Sequence, residues 1–343
     1  MRTLKTLFFA VSLAGAVLST AYGQSKVGTS AAQFLGIGVG PRAIAMGGAY
    51  VASYEDVSAI YWNPGAFVQA NGSQLSFSSS AWLVGSTFRW LGFMYNIDGQ
   101  NAFGLSLTQL DYGEEEVTTV AAPEGTGDRW SAQDLAISLS YSRRFTDHFS
   151  LGGSVKYIDQ SIWHESAKGV TFDLGLLFQT EFNNLRIGMS MSNFGGDLTL
   201  DGSDLLIPVS VDPANSGSNQ SLSGKLKTDG WPTPLLFRVG VAIDVVRDDQ
   251  LSVTLATDAL RPSDNDESIN LGGEVGWRNM LFFRAGYKSI LLQNDVNNSQ
   301  EGLSLGGGLR LTSEGLGSLE FDYAFSKFGL FDNINTIAIS IRF

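Results

Sequence analysis

The stretch Thr336-Ile337-Ala338-Ile339-Ser340-Ile341-Arg342-Phe343, with which the sequence ends, decides the fold class. Large apolar residues alternate there with small or polar ones, so successive side chains point to opposite sides of an extended chain. The same alternation runs through residues 185–192, Leu-Arg-Ile-Gly-Met-Ser-Met-Ser, and through residues 237–245. A period of two predicts β-strands with two different faces.

The two faces differ in a way that separates a membrane barrel from a soluble sandwich. One face is bulky and nearly free of charge, because a charged side chain facing the middle of a bilayer costs about 2–4 kcal/mol. We therefore expect the apolar face to contact lipid and the other face to line a polar interior. The charged residues assigned to this interior are Lys156, Asp173, Arg186, Arg238, Asp244, Glu274, Arg284, Lys288, Arg310, Glu320, Asp322 and Arg342.

From residue 74 onward, alternating segments follow one another with turn residues between them. Connections after even-numbered segments are short, whereas most of those after odd-numbered segments are longer, and the longest covers residues 196–233. Closed bacterial barrels have an even number of strands, short periplasmic turns and long external loops. The sequence therefore predicts an all-β fold, a 14-stranded antiparallel transmembrane β-barrel over residues 74–343. The segments lie near residues 74–84, 86–98, 101–113, 132–145, 149–162, 169–180, 185–195, 234–247, 250–260, 268–279, 280–291, 301–311, 317–328 and 332–343.

Composition excludes several classes of function. The 343 residues include no cysteine, which rules out disulfides, thiolate metal sites and a cysteine nucleophile. The net charge of −12 argues against nucleic acid as a partner. The sequence contains no motif for a serine–histidine–acid triad or for a pair of catalytic carboxylates. We therefore predict no enzyme, no cofactor and no metal.

The first residues predict a secretory signal peptide over residues 1–23. Arg2 and Lys5 precede an apolar run that is too short to span a membrane, and Ala21-Tyr22-Gly23 supplies small residues for cleavage. Removing this segment takes away two basic residues and no acidic one, so the net charge falls from −12 to −14. We expect a mature protein in the cell outer membrane, with membrane lipid and lipopolysaccharide as neighbours.

Residues 24–73 do not alternate and are rich in small residues, with Asn63-Pro64-Gly65 as a turn signal. Such a segment cannot face lipid with unpaired backbone groups. Fourteen strands also enclose more space than their own side chains fill. We therefore expect residues 24–73 to form a hatch, or plug, in the barrel lumen.

Three other features have weaker claims to function. The run Gly36-Ile37-Gly38-Val39-Gly40 follows no strand and is followed by Pro41, so nucleotide binding is not expected. His148 and His164 are not spaced as metal ligands, and the acidic run from Asp264 to Glu267 lacks the spacing of a calcium loop. Inward-facing charges, together with Arg42, Glu55 and Asp56, are candidates for structural ion pairs, and a substrate pathway is the alternative.

The N-terminal motifs resemble a known family. The run "GPRAIAMGGAYVA" at residues 40–52, followed by "DVSAIYWNPGAF" at residues 56–67, resembles the hatch of the PorV/PorQ family, itself similar to FadL-type fatty-acid transporters. FadL-type hatches usually carry alanine after Asn-Pro, where this chain has Gly65. The hatch-motif positions are Pro41, Arg42, Met46, Gly47, Gly48, Trp62, Asn63, Pro64 and Gly65.

The resemblance implies alternative functions. The PorV branch works in type IX secretion, where it binds the translocon and receives secreted proteins through their C-terminal domains. A FadL-like channel would instead take up hydrophobic molecules, and a purely structural barrel is the third alternative. Channel function requires an apolar pocket, with ligand contacts expected from Phe34, Leu35, Tyr50, Tyr61 and Phe67. The terminal aromatic strand, ending on Phe343, resembles the signal read by the outer-membrane assembly machinery.

Overall fold

The computed structural model describes residues 27–210, 222–290, 302–313, 317–329 and 331–343, so the predicted signal peptide lies outside the described residues. Fourteen long strands follow one another along the chain, and each pairs antiparallel with its neighbours in sequence. The first strand also pairs with the last, so the sheet closes on itself. These strands are β1 Gln74–Ala81, β2 Thr87–Asn96, β3 Asn101–Glu116, β4 Arg129–Thr146, β5 Phe149–Ile162, β6 Glu165–Gln179, β7 Arg186–Gly195, β8 Leu236–Arg247, β9 Leu251–Pro262, β10 Ser268–Trp277, β11 Leu281–Ile290, β12 Leu303–Ser313, β13 Gly317–Ser326 and β14 Ile334–Arg342.

Closure confirms the predicted 14-stranded antiparallel barrel. Most strand bounds lie within a few residues of the predicted segments, but β3 and β4 run further, to Glu116 and from Arg129. A transmembrane strand needs only about 9–11 residues, so these strands extend beyond the bilayer. Outside lipid there is no reason for apolar alternation, which is why the sequence pattern missed their ends. The same holds for β6, which begins at Glu165 instead of residue 169.

Burial alternates along the strands as the sequence pattern predicts. Leu139, Phe283 and Ile337 are 61%, 65% and 61% exposed on the outer face of the barrel. Their neighbours Arg284 and Thr336 point inward and are buried. The predicted interior charges that are buried are Lys156, Asp173, Arg186, Arg238, Glu274, Arg284, Arg310 and Glu320.

Residues 27–73, here called the N-terminal segment, pack against the inward-facing side of the wall. Two short helices, α1 Pro41–Ala45 and α2 Ala59–Trp62, and the 3-10 turns Gln33–Gly36 and Phe67–Gln69 interrupt an otherwise irregular path. Frequent glycine keeps these helices short. Among the described residues, no helix has both the length and the apolar character needed to cross a membrane.

The N-terminal segment forms two apolar clusters with the wall. One joins its residues Phe34, Leu35 and Phe67 to Trp90 and Met94 of β2. The other joins Met46, Tyr50 and Trp62 to Leu177 of β6 and Ala242 of β8. Burial of apolar surface therefore holds the segment on both sides of the lumen.

The connection between β7 and β8, here called the long loop, carries short strands of its own. Leu198–Thr199 pairs with Gly230–Trp231, and Asp201–Gly202 pairs with the start of β6. Further out, Leu206–Val209 and Leu222–Lys225 form a two-stranded ribbon, here called the external hairpin. Residues 211–221 of this connection, which include a polar run from Asn215 to Ser221, lie outside the described residues.

Candidate functional site: the contact between the N-terminal segment and the wall

Pairs of glycines in the wall receive the backbone of the N-terminal segment. Within each pair the two glycines lie directly opposite each other on neighbouring strands, so together they leave a gap one side chain deep. A methyl group at any of these positions would overlap the N-terminal segment or, at Gly240, first the Asp258 carboxylate. The pairs are Gly152 with Gly175, Gly188 with Gly240, and Gly272 with Gly286.

Each glycine pair meets a different turn of the segment. Gly272 and Gly286 face the Met46-Gly47 peptide, Gly188 and Gly240 face Val51, and Gly152 and Gly175 face the turn from Asn63 to Gly65. Two of these three turns are hatch motifs identified in the sequence. The facing glycines could not be found from sequence alone, because pairing depends on strand register.

The Met46-Gly47-Gly48 motif ends α1 with backbone conformations that suit glycine. Pro41 begins the helix, whereas Gly47 and Gly48 have φ values of 65° and 74°. The Gly48 N–H donates to the Ala43 carbonyl at 2.9 Å, which is how a helix commonly ends. This turn carries the backbone onto the Gly272–Gly286 pair.

Asn63 ties two passes of the N-terminal segment to the wall and is fully buried. Its Nδ2 donates to the carbonyls of Val51 and Leu176 at 2.7 and 2.8 Å, and its Oδ1 accepts from the Gly65 N–H at 2.9 Å. Trp62, the preceding residue, donates from Nε1 to the Val39 carbonyl at 3.0 Å. The Trp62-Asn63-Pro64-Gly65 motif is therefore a structural node.

Ion pairs join the segment to the wall, and Arg42 and Glu55 take part in them as predicted from the sequence. Arg42 pairs with Glu274 of β10 at 2.5 Å, and Glu55 pairs with Arg186 of β7 at 2.6 Å. Asp56 differs, since among the described residues its partners are Tyr50 and Ser58, which donate hydrogen bonds to it. Further ion pairs form between residues of the wall itself. They are Arg284 with Glu274 and Asp322, Arg186 with Asp244, and Arg310 and Arg342 with Glu320.

Glu55 lies outside the membrane-spanning strands, near the end of the barrel where β1 and β14 meet. Burial alone would raise the pKa of this carboxyl, but the guanidinium groups of Arg186 and Arg42 outweigh burial and lower the pKa to about 2. Glu55 is therefore a carboxylate under all physiological conditions.

Two further wall residues, Asp258 and Arg238, hold the segment. Arg238 is one of the predicted interior charges, whereas Asp258 was not singled out in the sequence. Asp258 of β9 accepts hydrogen bonds at one oxygen from the backbone N–H groups of Tyr50 and Val51, at 2.8 and 2.9 Å. Alternation along β9 places Asp258 on the inward face, so its direction could have been predicted from the sequence. Arg238 lies over the rings of Trp62 and Tyr61, 5.1 and 5.5 Å from their centroids.

Asn193 connects three strands and the long loop from a bulge in β7, where its φ is 64°. Its backbone N–H donates to Asp173 at 2.7 Å, and its Oδ1 accepts from Lys156 at 2.6 Å. Its Nδ2 donates to the Pro234 carbonyl at 3.0 Å, and its own carbonyl accepts from Thr233 at 2.8 Å. Asparagine suits the left-handed conformation, but nothing in the sequence marks the bulge.

A small cavity lies between the segment and the strands β3 to β6. Its volume of about 20 Å³ is about that of one water-sized sphere. Of the predicted ligand contacts, Leu35 and Tyr61 line it, whereas Phe34, Tyr50 and Phe67 are buried in packing elsewhere. Within the described ranges, no group of three or more potential ligands is arranged to hold a metal ion. The remaining lining residues are Ile60, Ser106, Thr108, Ala136, Ser138, Lys156 and Asp173.

Phe343 closes the barrel at the opposite end from the long loop. Its backbone exchanges hydrogen bonds of 2.9 and 3.0 Å with Ser73, and its side chain is 60% exposed. The pairing of β1 and β14 therefore extends to the last residue of the sequence.

Comparison with solved structures shows the same fold in two toluene transporters and in a FadL homologue. The toluene transporter TbuX of Ralstonia pickettii matches with a TM-score of 0.57 and 16% identity, over 89% of this chain and 98% of that chain. The toluene transporter TodX of Pseudomonas putida matches with a TM-score of 0.55 and 15% identity, over 89% and 97%. A FadL homologue of Pseudomonas aeruginosa matches with a TM-score of 0.52 and 14% identity, over 89% and 98%.

Sequence comparison identifies the family more closely. No curated protein sequence matches significantly. A family model described as "Type IX secretion system protein PorV" matches residues 20–203, more than half of the 343 residues. The match covers the whole N-terminal segment with its motifs and the strands β1 to β7. The chain therefore belongs to the PorV family and is an outer-membrane β-barrel protein.

Proposed function

We propose that this protein is a component of the type IX secretion system that binds the translocon, or the C-terminal domains of secreted proteins, through its external loops and rim. Residues 24–73 act as a hatch that keeps the lumen shut. The role is one of binding and not of catalysis. Membership of the PorV family supports a role in type IX secretion. The external hairpin supports binding through the external loops.

The external hairpin carries the proposal, because its described residues include several partly exposed aliphatic side chains. Two-stranded hairpins are at best marginally stable alone in water, and exposed apolar patches mark protein interaction sites. Within the described residues its strands pair only with each other. The exposed aliphatic residues are Leu206 at 52%, Ile207 at 37%, Val209 at 36%, Leu222 at 42% and, next to the hairpin, Leu226 at 50%.

Replacing Leu206, Ile207 and Leu222 together by serine tests this proposal. We expect the variant to reach the outer membrane folded but to lose co-purification with the translocon and to secrete less type IX cargo. Val120→Ser, in the exposed loop between β3 and β4, is the matched control and should behave as wild type. A folded triple variant with unchanged co-purification and secretion would contradict the proposal.

Uptake of hydrophobic molecules is the competing function, because two of the solved structures that share the fold are titled toluene transporters. Filling the small cavity separates the two functions. Ser138→Leu places an apolar side chain in that space. If the protein acts in secretion, the Ser138→Leu variant should secrete cargo as wild type does. If this variant loses uptake of hydrophobic molecules while cargo secretion stays intact, the channel function is favoured.

We also propose that Phe343 belongs to the signal read by the outer-membrane assembly machinery. Its exposed ring at the end of the closing strand supports this role. Phe343→Ala should reduce the amount of protein in the outer membrane. Phe331→Ala, which removes a similarly exposed ring before β14, is the control.

A further inference from the structure

Ala31–Gln33 lie at the same end of the barrel as the long loop. The Ala31 N–H donates to the carbonyl of Pro232, in the connection before β8, at 2.9 Å. Gln33 donates from Nε2 to Asp264, between β9 and β10, at 2.6 Å. The Ala32 N–H donates to Gln160, near the end of β5, at 3.0 Å. Three different parts of the loop end therefore hold Ala31–Gln33.

From there the chain travels to the opposite end of the barrel. Met46 and Gly47 lie against Gly272 and Gly286, in the middle of β10 and β11. The Glu55 carbonyl then accepts a hydrogen bond of 2.8 Å from Arg342, the last residue of β14. The N-terminal segment thus spans the lumen from the long-loop end to the short-turn end.

Long loops of such barrels face the outside of the cell. We infer that Val27–Gln33, here called the external arm, is displayed at the outer mouth and forms part of the surface that an extracellular protein partner meets. Val27, at its start, is 65% exposed. The partner contact rests on the proposed function, whereas the display of the arm does not.

The chemistry of the mouth indicates the kind of partner. The external arm carries no charge, and the nearby carboxylate of Asp264 accepts hydrogen bonds from Ser30 and Gln33. Trp231, adjacent to the residue that holds Ala31, is 52% exposed at the base of the long loop. An uncharged arm beside an exposed aromatic ring fits a protein surface that combines apolar side chains with hydrogen-bonding groups.

Cysteine labelling tests the display of the arm, because the sequence contains no cysteine of its own. Val27→Cys is compared with Val120→Cys in an external loop and Asp249→Cys in the short turn after β8, both exposed in the fold. Intact cells are treated with a membrane-impermeant maleimide. We expect Val27→Cys to be labelled like Val120→Cys, and Asp249→Cys to be labelled only after the outer membrane is permeabilised. Labelling of Val27→Cys only after permeabilisation would overturn the inference.

Protection by a partner tests the second half of the inference. Labelling of Val27→Cys should fall several-fold in the complex purified with the translocon, relative to the free protein, while Asp249→Cys is unchanged. If Val27→Cys is labelled equally in the complex and in the free protein, the arm is not part of the docking surface. Failure of the translocon to co-purify would count against the proposed function and the partner contact together, and would leave the cell-surface result standing.

Discussion

Gly272 and Gly273 are neighbours in β10 whose missing side chains would point in opposite directions. A methyl group at Gly272 would overlap the Met46 carbonyl, whereas at Gly273 its nearest neighbour is the Leu255 side chain at 3.3 Å. Gly272→Ala should therefore lower the free energy of unfolding by about 1–3 kcal/mol, the usual cost of overpacking. Gly273→Ala should change it little. Urea unfolding in detergent, followed by tryptophan fluorescence, measures both, and equal effects would contradict the glycine-pair contact.

Asn193 supplies a second prediction at the scale of one side chain. Asn193→Gly keeps the backbone free to adopt its positive φ but removes the groups that bind Lys156 and Pro234. Leaving buried polar partners unsatisfied costs about 1–3 kcal/mol each, so we expect a clear loss of thermal stability. Asn335→Gly, on the exposed outer face of β14, is the control. An Asn193→Gly variant as stable as that control would mean that the bulge is held by other contacts.

At the scale of the element, ion pairs to Arg42 and Glu55 make the docking of the N-terminal segment sensitive to acid. Because the folded pKa of Glu55 is lowered to about 2, its stabilising contribution is present above the unfolded value near 4.5 and is lost as pH falls toward 2. Glu55→Gln should be less stable than wild type at neutral pH, and this difference should shrink between pH 4.5 and 2.

The melting temperature of both proteins, measured against pH, checks this prediction. Glu181→Gln, at an exposed turn before β7, is the control and should track wild type at every pH. A difference between Glu55→Gln and wild type that stays constant down to pH 2 would show that the carboxylate does not act through its ion pairs.

Strands and the N-terminal segment differ in how far sequence predicts them. Each strand has lipid on one side and the lumen on the other, so apolar and small or polar residues alternate along it. This two-residue repeat was enough to predict the positions of β1 to β14. Residues 206–209 and 222–225 escaped notice, because the external hairpin lies in water and both of its faces are exposed. The short helices α1 and α2 escaped for a related reason, since burial on all sides leaves no periodic pattern.

The candidate site was predictable only in part. Motif residues such as Asn63 and Gly47 could be named in advance, and so could inward charges such as Glu274, because alternation gives the direction of each side chain. Their partners could not, since strand register decides which residues meet. Gly175 and Gly188 are examples, because strand register places each of them against a turn of the segment.

At the scale of the whole molecule, the hatch proposed for residues 24–73 predicts that the N-terminal segment separates the two ends of the lumen. Deleting residues 27–69 should leave a wall whose strand pairing is intact, because Ser73 still pairs with Phe343. We expect the deletion variant to show discrete conductance steps in planar bilayers, where the full chain shows none. A deletion variant that migrates as a folded barrel and still fails to conduct would contradict the hatch proposed for residues 24–73.

The path of the N-terminal segment also bears on the order in which the molecule folds. Its turns fill recesses one side chain deep along the lumen, so threading it through a finished tube would be slow. We therefore expect the sheet to wrap around the segment while the sheet is still open, and the junction of β1 with β14 to form last. Residues 27–73 supplied as a separate peptide should accordingly fail to enter a barrel that has already closed.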